Sequence, residues 1–98
     1  MFRKAAFKNI PREKIKLAMQ NEGFSPKLIT DSPGFVYEPH QHAETKFFVC
    51  LEGYMKVTFN GKTYDFEPGD KIIINGNTKH SAIAGKEGCS FFWSEKII

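Results

Sequence analysis

The stretch Gly34-Phe35-Val36-Tyr37-Glu38-Pro39-His40-Gln41-His42 decides how this chain is read. It leaves a turn, Asp31-Ser32-Pro33-Gly34, built from the residue types that turns select. It then reads as a strand over Gly34 to His42. Val36, Glu38, His40 and His42 recur at spacing two, which in a strand sets them on one face. His40 and His42 therefore aim two imidazoles into one small volume. The chain has 3 histidines in all. The third, His80, follows a turn-like Asn75-Gly76-Asn77-Thr78. A strand end that brings His80 beside the first pair makes a three-imidazole cluster.

Upstream, Asn9-Ile10-Pro11 predicts a helix start, with Asn9 as the cap and Pro11 tolerated in the first turn. Residues 11 to 22 carry helix formers, with Ile15, Ala18 and Met19 at i, i+3 and i+4. Gly23 ends the segment. Residues 2 to 8 suggest a short strand, and Lys27 to Thr30 another. Downstream, residues 45 to 52 and Tyr54 to Phe59 read as two strands. Asn60-Gly61 is a strong hairpin signal, because both residues tolerate the positive φ of a type I′ turn. Lys62 to Phe66, Ile72 to Ile74, His80 to Ala84 and Cys89 to Trp93 follow. Pro68-Gly69 and Gly85-Lys86-Glu87-Gly88 serve as connections. Seven or eight short strands with frequent turns predict an all-β sandwich or barrel with one short N-terminal helix.

The length of 98 residues predicts a single domain, 1–98. Residues 1–26 form its strand and helix segment, and 27–98 its barrel. Ten phenylalanines suit a well-filled aromatic core. Phe47, Val49 and Leu51 make one apolar face of their strand, and Phe48 with Cys50 part of the other. A strand apolar on both faces is covered on both. One cover is the barrel interior; the other is the N-terminal segment or a second subunit, which motivates a homodimer. Net charge is +3, with basic and acidic residues interleaved. That pattern argues against tracking a nucleic-acid backbone. Two cysteines, Cys50 and Cys89, are too few for a disulfide framework. No apolar run approaches a membrane span or signal peptide, so the expected location is cytoplasmic, with no membrane partner.

With these elements in place, the chain resembles the cupin family. Gly34, five residues, His40-Gln41-His42 and then Gly53 resemble that family's first motif. Gly69, five residues and Asn75-Gly76-Asn77-Thr78-Lys79-His80 resemble its second. Pro68-Gly69-Asp70 looks like the turn common in these proteins, and Asn60-Gly61 sits where the inter-motif loop belongs. The resemblance implies a cupin-type jelly-roll β-barrel. The departures carry information. Where the motif has glutamate this chain has Lys46, and the motif proline and glycine are Asn75 and Asn77. Asparagine tolerates left-handed backbone, so the latter two are mild.

Three neutral imidazoles suit a divalent transition metal such as Fe, Zn, Ni, Mn or Cu. The competing reading is an inherited histidine cluster without metal. An ammonium at Lys46, about 5 Å from a divalent ion, costs about 6–7 kcal/mol at an effective dielectric of ~20. Lys46 must therefore swing away or pair with an acid. Glu44 is the candidate acid, and it is also a candidate fourth metal ligand or a solvated turn residue. Lys46, Glu38 and Phe48 are the candidate ligand-binding residues. Lys46 would hold a carboxylate, phosphate or enolate, or else snorkel to water at the barrel rim. Glu38 would orient an imidazole or lie at an edge. Phe48, Cys50, Phe91 and Trp93 line the pocket or belong to the core. The expected function is binding of a metal and a small organic molecule, anionic or neutral. A metal-dependent enzyme such as a dioxygenase or isomerase competes with a non-catalytic binding or sensing module.

Overall fold

The computed structural model describes residues 1–97. Its elements in chain order are β1 (Phe2–Arg3), α1 (Arg12–Asn21), β2 (Lys27–Asp31), β3 (Val36–His40), β4 (Thr45–Phe59), β5 (Lys62–Phe66), β6 (Lys71–Ile74) and β7 (His80–Lys96). All strand pairings are antiparallel. The architecture is the all-β jelly roll anticipated, with one short helix.

Four of the expected strands merge into two. Residues 45 to 59 are a single strand, and so are 80 to 96. These two run side by side as the central ladder, from Thr45↔Lys96 at one end to Phe59↔His80 at the other. Gly53 and Gly88, read from sequence as breaks, are bends within continuous strands. Both adopt positive φ, +80° each. The ladder shifts register at Cys50/Glu52 and again at Gly53/Met55. Bulges of this kind bend a strand and let it serve two sheets. Before the bend β4 pairs with β6, and β1 extends that wall beyond β6. After the bend β4 pairs with β5. β7 correspondingly pairs with β3 through its first half and with β2 through its second.

The core lies between the walls and draws on both halves of the ladder. Cys50, Met55, Val57, Phe59, Phe66, Ile72, Ile74, Ala84, Cys89 and Phe91 are all buried there. Cys50 and Cys89 are free thiols with sulfurs 3.8 Å apart. A second cluster packs outside the first wall, where Ile15 and Met19 of α1 and Phe24 cover Phe47, Val49 and Phe92. Phe24 meets Phe47 edge-on at 5.1 Å between ring centroids. The chain's own N-terminal segment thus covers the outer face of β4.

Two local expectations differ. The strand over residues 2 to 8 shrinks to Phe2–Arg3, because Ala5 and Asn9 take positive φ and interrupt extended backbone. That conformation also removes Asn9 as the helix cap, a position Pro11 occupies without a side-chain cap. Asp70, 1 % exposed, ties the segment down instead by accepting from the backbone N–H groups of Ala5 and Glu67.

The bend leaves no room for a larger residue. A Cβ on Gly53 would lie 2.2 Å from the carbonyl oxygen of Gly88. Gly53→Ala combines that clash with left-handed backbone and is expected to destabilise the fold by about 2–3 kcal/mol or more. Urea denaturation of the variant measures it.

Candidate metal centre

The bend brings the two ends of the β4–β7 ladder to one cavity. His80 at one end and Lys46 at the other both line it, with His40, His42, Ile29, Tyr37, Phe91 and Trp93. The cavity measures about 470 Å³.

His40 is the last residue of β3 and pairs directly with His80 at the start of β7. His42 lies just beyond β3, so the shared strand face expected for the pair ends at His40. A loop-to-loop seam holds it instead. The Asn77 N–H donates to the His42 carbonyl, and the Gly76 N–H donates to Thr45 Oγ1 at 3.1 Å. A Cβ on Gly76 would sit 2.2 Å from the Ala43 carbonyl oxygen. Asn77, which replaces the motif glycine, takes positive φ, 64°. The three rings then stand 4.3, 4.7 and 5.9 Å apart by centroid. One ligand nitrogen from each lies within 4.8 Å of the others.

Protonation follows from the hydrogen bonds. A carbonyl oxygen only accepts, so Nδ1–H of His40 donates to Glu38 O and Nδ1–H of His80 donates to Thr78 O. In a neutral imidazole that leaves the lone pair on Nε2. Burial lowers the His80 pKa below its ordinary 6.5. His40, His42 and Lys46 push the same way, against the hydrogen bond to Thr78. Three imidazoles, two of them with Nδ1–H fixed by backbone carbonyls, are a donor set that fits a divalent transition metal.

Lys46 is turned inward by strand alternation, on the side opposite Phe47 and Val49. Its side chain is 7 % exposed. The acid that pairs with it is Glu95, its cross-strand neighbour on β7, and not Glu44. Glu44 stands outside the histidine cluster. Glu95 shares strand parity with Phe91 and Trp93, and that alternation was the available signal. Lys46 Nζ also lies 5.4 Å from the centroid of the Trp93 ring.

The parity argument fails for Glu38. An irregularity between Tyr37 and His40 shifts the β3 register. Tyr37 turns into the cavity, while Glu38 lies exposed on an outer groove beside Val36 and Lys56. What orients the imidazole is the backbone carbonyl of Glu38. Phe48 packs into the core and meets Phe91 at 5.8 Å, outside the cavity lining. Tyr37, missed by the same parity, donates from its hydroxyl to Asp31 Oδ1 at 2.9 Å. Burial and that bond to Asp31 hold the Tyr37 pKa well above the tyrosine range, and burial raises Asp31.

A family model of the cupin domain matches residues 27–95, and the chain belongs to the cupin family. It is 36 % identical over 59 residues to dimethylsulfoniopropionate lyase DddW of Ruegeria pomeroyi, covering 60 % of this chain and 39 % of that one. It is 31 % identical over 87 residues to L-ectoine synthase of Saccharophagus degradans, covering 87 % of this chain and 66 % of that one. The chain thus spans about two fifths of the first relative's length and just under two thirds of the second's. Among solved structures it resembles the cupin domain of Schizosaccharomyces pombe Cnp3, with TM-score 0.70 and 18 % identity over 76 % of this chain and 53 % of that one. It also resembles KdgF of Halomonas sp., with TM-score 0.61 and 23 % identity over 69 % and 65 %. These structural likenesses describe the fold. No helix among the described residues is long and apolar enough to cross a membrane.

The lowered pKa of His80 sets a pH dependence for metal-free protein. The unfolded chain takes up a proton near pH 6.5 that the folded chain resists until lower pH. This contribution to stability is whole above pH 6.5 and is lost as pH falls below it. His80→Gln should flatten the decline, as read by urea midpoints between pH 7.5 and 5.

Proposed function

We propose that this chain binds a divalent transition metal through Nε2 of His40, His42 and His80, and a small organic anion in the adjoining cavity. The observation that carries this reading is that one ring nitrogen from each histidine lies within 4.8 Å of the others, while Nδ1–H donation to Glu38 O and Thr78 O leaves Nε2 of His40 and of His80 with its lone pair. Lys46 is compatible with a metal because Glu95 neutralises it across the ladder. The bound metal would supply Lewis-acid polarisation of a ligand oxygen. Lys46 would orient an anionic group, and Tyr37, held by Asp31, would fix the ligand from the β3 side.

A catalytic role draws support from the curated relatives, which are named as a lyase and a synthase. The name of the first substrate specifies a carboxylate, which suits a cavity edged by imidazoles and an ammonium. These names favour bond breaking or making without dioxygen over dioxygenase chemistry. A non-catalytic binding module remains the second reading, favoured by the lysine that stands where the family motif has a carboxylate.

Metal analysis of purified protein tests the first claim. One equivalent of metal is expected, with tight binding raising stability by about 2.7 kcal/mol at a hundredfold excess over Kd. His40→Ala and His80→Ala should each abolish uptake; uptake unchanged in either variant ends the proposal.

The homodimer remains a proposal, with a different surface. Phe35, Val36 and Ile83 are exposed on the second wall, and Val36 pairs with Ile83 across β3 and β7. An Ile83→Asp substitution should turn a dimer into a monomer in light scattering. A wild-type chain that is already monomeric at micromolar concentration sinks the idea.

A further inference from the structure

Lys46 and Glu95 face each other across the β4–β7 ladder as an ion pair, but their surroundings differ. The lysine side chain is 7 % exposed and lines the cavity. The glutamate is 37 % exposed and stands outside the lining. An ammonium so far removed from water requires a counter-charge. Among the described residues, Glu95 is the acid that supplies it. An ammonium carries three N–H donors, and this pair engages one. Part of the cavity lining is imidazole, from His40, His42 and His80, and part is an apolar wall of Ile29, Phe91 and Trp93, whose Trp93 ring centroid lies 5.4 Å from Lys46 Nζ.

Taking the cavity to be a ligand site as above, we propose that its ligand is a small carboxylate with an apolar tail, whose head binds Lys46 in competition with the built-in carboxylate of Glu95. The pair shows this ammonium donating to a carboxylate oxygen, Oε1 of Glu95, with two N–H donors left over. The apolar wall accommodates a short hydrocarbon tail, whereas in the metal-free site a doubly charged phosphate would lose its hydration against that wall with only one cation in return. A bound monocarboxylate places two negative heads around one positive one. Glu95 therefore weakens ligand binding while keeping the empty site neutral, and its partial exposure lets it turn toward water when the ligand arrives.

Trp93 is the chain's single tryptophan and lines the cavity, so its fluorescence reports occupancy directly. The whole chain, metal-free, is titrated at low ionic strength with butyrate, with butyramide and with inorganic phosphate. Butyrate should perturb Trp93 at concentrations where the amide and phosphate do not. Glu95→Gln should tighten butyrate binding about tenfold, a gain that shrinks with added salt. Lys46→Gln should abolish it. The double variant removes both charges, avoids an unpaired buried ammonium, and should fold without binding butyrate.

Equal binding of butyramide, phosphate binding as tight as butyrate, unchanged or weaker binding in Glu95→Gln, or wild-type binding in the double variant overturns the proposal. Zinc uptake is measured separately. Butyrate binding without zinc uptake refutes the metal reading alone; zinc uptake without charge-dependent butyrate binding refutes the carboxylate proposal alone.

Discussion

The close pass of Gly53 over Gly88 is the constraint on which the rest of the molecule depends. A carbonyl oxygen occupies the space where a Cβ on Gly53 would go, and both glycines take a backbone that other residues resist. The two longest strands can therefore bend together and remain hydrogen-bonded to each other on both sides of the bend. Without it the ladder would be a flat ribbon, with Lys46–Glu95 at one end and Phe59–His80 at the other. With it, both ends open onto one cavity. The core between the walls and the site at their mouth follow from a single change of strand direction.

The site is built mainly from backbone. Carbonyls of Glu38 and Thr78 fix two imidazoles, and the seam between residues 42–45 and 76–77 sets the third beside them. Such positioning is insensitive to side-chain identity so long as the left-handed residue and the close approach at Gly76 are kept. That is the physical reason why Asn77 serves where the family motif has glycine. Lys46 is different in kind. It introduces a charge beside the imidazoles, and the neighbouring strand compensates by placing Glu95 opposite it.

Patterns local in sequence were legible without coordinates. Alternation over Phe47 to Leu51 separates the face under the helix from the face toward the core, because the period of a strand is fixed by its geometry. Asn60-Gly61 marks its hairpin through φ alone. Reading failed where a local rule met a longer-range one. By pattern alone Gly53 and Gly88 read as breaks between strands, because a glycine interrupts alternation. Only the partner strand shows that hydrogen bonding continues through both. Tyr37 lines the cavity and Glu38 lies outside it because one irregularity inverts strand parity, and an irregularity leaves no mark in residue types.

Element types, family and the three histidines as the cluster to be explained are all legible in the order of residues. Those follow from periodicity, turn chemistry and spacing, which act over a few residues. The tertiary structure alone decided that Lys46 is paired with Glu95, 49 residues away, that Tyr37 and Trp93 face the cavity, and that the helix covers the outer face of β4. Those outcomes depend on which strand lies beside which and in what register. Register is settled by packing of the whole chain.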